Sequence, residues 1–552
     1  MRRGPLVLAG FLALLYWGTF GLLDDGMVLG NDAIPYAAEL ARGGGHTSPH
    51  HLLFHPLAAL VKGLLAPLAH DELSLRGPLG LAMTSQVLVS ALGGGLAAAA
   101  FLWSLGRLGL PRLWSWALTA VLALSAGHWL YAAVGETYLP AIAAQTALLG
   151  LALVARVEDG GAASGRRQAL LVLLLLVATL LRQDSVLVVP ALLILLTPRT
   201  ASAVVGLAGL ASLVCYLVAW LAAEPGQDFL PWLRGLADTG LWGGGFDAVR
   251  WKVSGTLGLA ALAYPMYYAG QAGLHGEVGL DLVLGLAPWL LLCGALVASR
   301  LGTAPAEDRP HHRRAVLALA VLLVLRLAFF TWWQPGNLEF HTVHLAPALL
   351  LLAVLLRPPT IDRAAGPTTE LAPRLLVLAA ATTLIVNWTS LIAPNRTPAM
   401  HAVATEALDT VAPGGLVLSL DRLGHYANLR AAGTTARGLE PAPLILDASD
   451  VASGLDLAGA PDLRRAIDAA AARVSLDPAP PLARPPVVAT RDRILPERFA
   501  HAPWPLDWSR APGTEGQGDP GHEGGMNLLF EGRDARPKDE TAGMDAAIWT
   551  LR

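Results

Sequence analysis

Between residues 6 and 392 the chain is built from apolar blocks of about 15–25 residues, interrupted by short polar segments. That block length constrains the fold more than any other feature. A bilayer core of about 30 Å takes roughly 20 residues of helix to cross, and few soluble proteins repeat runs of this kind. Hydrophobic residues make up 54% of the 552 and charged ones only 15%, which excludes an ordinary soluble enzyme of this size. The pattern predicts a polytopic α-helical membrane protein of about 11 transmembrane helices. They are expected at 6–23, 79–104, 113–134, 137–155, 168–181, 185–197, 202–222, 277–298, 315–331, 342–356 and 375–392. The fifth and sixth are short, and read as tilted helices or as a hairpin that does not fully cross. Residues 1–23 have a basic start and an apolar run, like a signal peptide. No small-x-small cleavage site follows and Asp24-Asp25 come directly after, so a retained first helix is expected.

Basic residues set the orientation, because short cytoplasmic loops carry the excess of Lys and Arg. With the N-terminus cytoplasmic, the inner segments hold 15 basic residues in 63 positions and the outer ones 7 in 124. An odd number of helices then puts the C-terminus outside. The reading is a multi-pass protein of a bacterial inner membrane. Two outer loops are long, 24–78 and 223–276, and the second contains an amphipathic stretch near Trp251–Gly270 suited to the membrane interface or to a twelfth helix.

From Asn395 the composition changes, giving three parts: a membrane domain over 1–394, an extracytoplasmic α/β domain over 395–510 and a Gly/Pro-rich charged tail over 511–552. Strands are expected in PGGLVLSLD (413–421), APLILDASD (442–450) and PPVVATRD (485–492), with an amphipathic helix in PDLRRAIDAAAARV (461–474). Neither a dinucleotide fingerprint nor a phosphate-binding P-loop is present. The two cysteines, Cys215 and Cys293, lie in apolar blocks without metal-binding spacing.

Polar residues where the pattern calls for apolar ones mark candidate chemistry. GNDAIPYAAELARGGGHTSPHHLLFHP (30–56) is a polar stretch in the first outer loop, with Asp32 before a short helix Ala33–Arg42. Asp32 reads as an N-cap, as a catalytic carboxylate, or as both, since capping holds a carboxylate rigidly. His46, His50, His51 and His55 lack a standard metal spacing, so no metal site is assigned there; His50 and His55 are candidates for hydrogen bonds to phosphate or sugar. Glu136 sits between two closely spaced helices, near Tyr131 and Tyr138. Arg326 interrupts the apolar run LLVLRLAFFTWW, where a charge costs about 2.5–3.5 kcal/mol at the bilayer centre and so calls for a partner or a task. Arg182, in LLRQDS, lies at the same outer side; snorkelling to headgroups or a pair with Asp184 would also account for it. Glu339, His341 and His344 open the tenth helix. Seven tryptophans at predicted helix ends, Trp129 and Trp388 among them, read as an interfacial belt.

The order of these loops resembles the GT-C superfamily of membrane glycosyltransferases. DAIPYAAELA (32–41) is similar to the first-loop motif of the protein O-mannosyltransferase-like members, and HTSPHHLLFHPL (46–57) to the His-Pro-rich segment that follows it. HWLYAAVGETYLPAIAAQTALL (128–149) resembles the segment after the third helix, and WWQPGNLEFHTVHLAPALLLL (332–352) a late outer loop. Asn-Asp stands where the best-known branch has Asp-Glu. The resemblance implies a polyprenyl-phosphate sugar as donor, with a divalent metal as a possible helper, and an acceptor hydroxyl on protein, lipid or glycan. It also implies inverting transfer at the outer face, with Asp32 as general base. Glu136 would support the base or orient the acceptor. Arg326, Arg182, His50, His55, Glu339, His341 and Tyr36 would bind the phosphate and sugar. The competing reading is a transporter or flippase for a lipid-linked or small polar substrate, which should show repeated halves with matching broken helices; no internal repeat is found. A non-catalytic scaffold would leave Arg326 and the acidic outer loops unexplained.

Overall fold

The computed structural model describes residues 4–20, 33, 36, 37, 40, 50–68, 78–223, 228–234, 258, 259, 261–263, 278–301, 310–333, 338–356 and 367–392, and five strands between 416 and 551. The chain divides into two compact units. One comprises residues 1–23, 42–68 and 82–395, the other residues 24–41, 69–81 and 396–552. In the 24–41 segment of the second unit Ala33, Ala37 and Leu40 are helical and buried, at the spacing of one helix face.

Helix falls on all eleven predicted stretches of the first unit. The helices are α1 (Gly4–Thr19), α2 (Phe54–Leu65), α3 (Pro78–Arg107), α4 (Arg112–Leu124), α5 (Ala126–Ala133), α6 (Tyr138–Asp159), α7 (Gly165–Leu181), α8 (Val189–Leu195) and α9 (Pro198–Ala223). They continue with α10 (Phe229–Arg234), α11 (Val278–Leu301), α12 (Pro310–Trp333), α13 (Leu338–Thr342), α14 (Leu345–Leu356) and α15 (Pro367–Asn387). Among the described residues six helices are long and apolar enough to cross a membrane, seven if the bent pair α4–α5 is one span. The protein is therefore a multi-pass membrane protein. Some predicted spans are short: the stretch expected over 185–197 is a 3-10 turn, Gln183–Val188, followed by the seven-residue α8. Helix α2 was not expected and lies within 24–78, predicted as the first outer loop.

Helix α6 is the centre of this unit. Its span is 89% buried, against 22% for α9, and α5, α7, α8, α12 and α14 all pack on it. An apolar run rich in Ala, without a polar face, is suited to burial on every side. Helix α3 approaches its neighbours through Gly93, Gly94 and Gly95. A methyl group at 93 would meet the backbone of Leu139 and Pro140, one at 94 the side chains of Ala132 and Tyr16, and one at 95 the carbonyl of Ala9. Small residues that let backbones close up are the usual glue between membrane helices, where apolar burial is not a driving force. Gly95→Val is expected to lower the melting temperature in detergent by the equivalent of about 1–3 kcal/mol. Gly106→Ala, on the same helix with open space around it, should leave the melting temperature unchanged or higher; equal melting of the two variants would refute the close-approach argument.

Helix α4 and α5, predicted as one span over 113–134, are bent by 58° at Ser125. Backbone groups freed at membrane depth need partners within the protein. Here Asn387 Nδ2 donates to Leu124 O (2.7 Å) and Leu262 O (2.9 Å), while Ala126 N and Gly127 N donate to Leu262 O (3.1 Å) and Ala261 O (2.9 Å). Of the stretch Trp251–Gly270, Ala261, Leu262 and Ala263 are buried beside this break. Most of that stretch lies outside the described residues. The belt reading is corrected at Trp129, which is buried and donates from Nε1 to Thr19 Oγ1 at 3.1 Å.

The second unit contains a five-stranded sheet of order β2-β1-β3-β5-β4. Its strands are β1 (Leu416–Ser419), β2 (Leu444–Asp447), β3 (Val487–Thr490), β4 (Phe530–Arg533) and β5 (Ala547–Leu551). Strands β1, β2 and β3 lie within the three predicted segments and are parallel, and their Val/Leu/Ile content suits that arrangement. Strands β4 and β5 come from 511–552, read from composition as a tail; β5 pairs antiparallel with β3. The helix expected over 461–474 lies outside the described residues.

Candidate functional site

Chain direction gives the two ends of the helices different chemistry. At one end Arg107 of α3 and Arg167 of α7 both pair with Glu158 of α6, and Arg167 also pairs with Asp159. These residues lie in two of the inner segments predicted from charge, 105–112 and 156–167. At the opposite end gather Glu136, Tyr138, Arg182 and the turn that carries His50 and His51.

Tyr138, the first residue of α6, is the hub of that second cluster. The Arg182 guanidinium lies over its ring, with Cζ 3.7 Å from the centroid, and Phe340 and Tyr131 pack against it at 6.0 and 5.5 Å. Glu136 and Glu339 are within electrostatic reach of the Tyr138 hydroxyl. Arg182 is held at the end of α7, where Nε donates to Asp184 Oδ1 at 2.8 Å. A guanidinium on an aromatic face, with a carboxylate to one side, is fixed in orientation.

Arg326 is the second buried cation. It sits on α12, is 1% exposed, and donates from one terminal nitrogen to Val343 O at 2.6 Å and from the other to Gln145 Oε1. Gln145 in turn donates from Nε2 to Ser185 Oγ at 2.7 Å, and Ser185 donates to Ala178 O at 2.8 Å. The chain of bonds ties α12 to the segment that holds Arg182 and Asp184. Both Asp184 and Arg182 are within electrostatic reach of Arg326. Asp184 thus interacts with both guanidiniums, in a neighbourhood shielded from water that also holds Glu136 and Glu339.

The histidine turn abuts this cluster. His50 Nδ1 donates to Gln183 Oε1 (3.1 Å), His51 Nδ1 donates to Leu181 O (3.3 Å), and Leu53 N donates to Leu180 O (3.1 Å). Burial lowers the pKa of both imidazoles from the usual 6.5, and Arg182 lowers them further. A histidine kept neutral in the folded state contributes stability that is complete above its unfolded pKa and is lost as pH falls below it. Melting temperature is therefore expected to drop between pH 7 and pH 5, and His51→Gln should flatten that drop; an unchanged slope would remove His51 from the account.

The predicted site residues divide as follows. Glu136, Arg182, Arg326, His50 and Glu339 belong to one neighbourhood at this end of the first unit, and His55 and His341 are buried, at 5% and 0% exposure. Phe340 stacks on Phe330 at 5.4 Å, and His341 on His344 at 5.4 Å. Tyr36 is helical and half-buried in the second unit, and Asp32 lies outside the described residues. Among the described residues no group of three His, Cys, Asp or Glu could hold a metal ion. Gln145, Ser185 and Ser90 were not anticipated. Gln145 had a signal in the sequence: a lone amide inside the apolar run AIAAQTALLG.

No family model matches the chain, and no curated protein does. Solved structures do. ArnT from Cupriavidus metallidurans, solved with undecaprenyl phosphate bound, superposes with a TM-score of 0.53 at 13% identity, covering 100% of this chain and 98% of that one. The oligosaccharyltransferase of Archaeoglobus fulgidus, in complex with zinc and sulfate, gives a TM-score of 0.50 at 12% identity over 88% of this chain and 68% of that one. Both are GT-C proteins. The fold of this chain is that of the GT-C membrane glycosyltransferases.

Proposed function

We propose that the protein is an integral-membrane glycosyltransferase that moves a sugar from a polyprenyl-phosphate donor to an acceptor hydroxyl at the extracytoplasmic face. The observation that carries this is Arg326. The hydrogen-bond partners of this guanidinium, 1% exposed, are neutral oxygens, and its electrostatic neighbour Asp184 is itself bonded to Arg182, an arrangement that suits an anionic ligand. With Arg182 alongside, the site suits a lipid phosphate, and the ArnT structure of the same fold holds undecaprenyl phosphate.

In the reaction the acceptor oxygen attacks the anomeric carbon from the face opposite the phosphate. A new C–O bond forms, the bond to the phosphate oxygen breaks, and polyprenyl phosphate departs with the electron pair. The leaving phosphate gains negative charge in the transition state, and fixed cations stabilise that charge without reorganising. The acceptor proton passes to a carboxylate. Asp32 takes this role through the resemblance of its loop; Glu136, buried beside Tyr138, supports or orients. His50, His55, Glu339, His341 and Tyr36 are proposed contacts of sugar or phosphate. The sheet unit is proposed as an extracytoplasmic domain that selects the acceptor.

The test is transfer of a radiolabelled sugar from undecaprenyl phosphate to endogenous acceptors in membranes containing the protein, alongside undecaprenyl-phosphate binding followed by melting temperature. Binding together with transfer is the expected result. Absence of both would overturn the reading and favour a transporter.

A further inference from the structure

Gln86 carries the inference. It lies on α3 and is wholly buried, and neither its Nε2 nor its Oε1 has a hydrogen-bond partner among the described residues. The other amides buried in this unit are paired. Gln145 uses both side-chain atoms, and Asn387 donates to two carbonyls. A membrane protein that closes its amide bonds elsewhere and leaves one open has a reason at that position, because an unpaired buried amide is costly.

The direction of Gln86 follows from its helix. Residues four apart lie on one face. One turn further on, Ser90 Oγ donates to Glu136 O at 2.6 Å and accepts from Glu136 N at 3.0 Å. On the next turn Gly93 packs against the backbone of Leu139 and Pro140. Gln86 is thus on the α3 face that meets the Glu136–Pro140 connection. It is also nearer than Ser90 to the helix end where Glu136, Tyr138 and Arg182 gather.

We propose that Gln86 recognises a hydroxyl group of the transferred sugar; this rests on the glycosyltransferase reading above and deepens it. The chemistry of an amide selects the partner. A phosphate accepts hydrogen bonds but donates none when ionised, so it would leave Oε1 open. A polyprenyl chain would satisfy neither atom. A sugar hydroxyl, or a neighbouring pair, both donates and accepts, and matches Oε1 and Nε2 together. Ser90 fixes the backbone of Glu136 beside it, so the same face would present an amide and a carboxylate to the sugar.

The experiment compares the wild-type protein with Gln86→Met, close in size and unable to hydrogen-bond, and with Gln86→Glu. Each is titrated in detergent with undecaprenyl phosphate, undecaprenyl-phosphate mannose and undecaprenyl-phosphate glucose, with melting temperature as the readout. Gln86→Met is expected to melt at or above wild type, since it removes an unsatisfied polar group. It should bind undecaprenyl phosphate as wild type does and bind the preferred sugar phosphate about 10-fold more weakly. If wild type gains nothing from either sugar over the bare lipid phosphate, the proposal falls while the phosphate site stands. Equal sugar gain in wild type and Gln86→Met also overturns it, assigning the amide to bound water or to packing. If wild type responds to no lipid phosphate at all, the glycosyltransferase reading falls and this proposal with it. Should Gln86→Met fail to fold, Gln86→Glu, which keeps the acceptor and loses the amide donors, is expected to show the same selective loss of sugar binding; unaltered sugar binding there would also overturn the proposal.

Discussion

Arg326→Met is expected to lower sugar transfer about 10²–10³-fold, the usual cost of removing one preorganised group that stabilises developing charge. The argument turns on what now holds the guanidinium. Its hydrogen-bond partners, Val343 O and the Gln145 amide oxygen, are neutral and fix the charge in place, while the nearby Asp184 is bonded to Arg182. Methionine fills most of the space and removes an expensive buried cation but leaves Val343 O and the Gln145 amide oxygen without their donor, so the fold should survive with at most a modest fall in melting. Binding of undecaprenyl phosphate should fall together with transfer, which separates a phosphate ligand from a residue that acts only on the acceptor. Gln145→Glu sharpens the test. It is nearly isosteric, keeps an acceptor for Arg326 and places a carboxylate there. The guanidinium would stay in position but be neutralised. Loss of phosphate binding in Gln145→Glu, with the protein folded, would show that net charge and not side-chain placement is what matters. Retained binding and transfer in both variants would remove Arg326 from the site and leave Arg182 alone to account for any phosphate affinity.

Arg326 and Arg182 were legible because charge in an apolar run is conspicuous, and the same contrast located the helices. Uncharged polar residues lack that contrast: Gln145 and Gln86 drew no expectation from the sequence, although one bonds Arg326 and the other is open among the described residues. The bend at Ser125 was invisible for a different reason. The run over 113–134 is apolar throughout, and the break is satisfied by Asn387 and by the carbonyls of 261–262, which are distant in sequence. Trp129 was misread because position near a predicted helix end says nothing about which side of the helix faces lipid. In the sheet, the three parallel strands have Val/Leu/Ile runs long enough to detect. Strands β4 and β5, FEGR and AIWTL, are short and set in charged, Gly-rich sequence, and they gain their order only from pairing with β3 and each other.

Asp32→Asn is expected to lower transfer by about 10²–10⁴-fold, the range that a positioned general base contributes, while leaving undecaprenyl-phosphate binding intact. Asparagine caps a helix about as well as aspartate, so a cap role for residue 32 is preserved by the substitution and only the proton acceptor is lost. That makes the variant informative where alanine would not be. Phosphate binding assigned to Arg182 and Arg326 should not change, so the two groups of variants should separate cleanly: cation variants lose binding and transfer, Asp32→Asn loses transfer alone. Glu136 supplies the contrast. The residue is 2% exposed, its carboxylate lies within electrostatic reach of Tyr138 beside Arg182, and its backbone is clasped by Ser90. If Asp32→Asn transfers at the wild-type rate and Glu136→Gln does not, the base is Glu136 and the resemblance of the first loop has misassigned it. If both variants lose transfer but only Glu136→Gln also weakens discrimination between mannose and glucose donors, Asp32 takes the proton and Glu136 holds the sugar, as the proposed Gln86 contact on the same face would require.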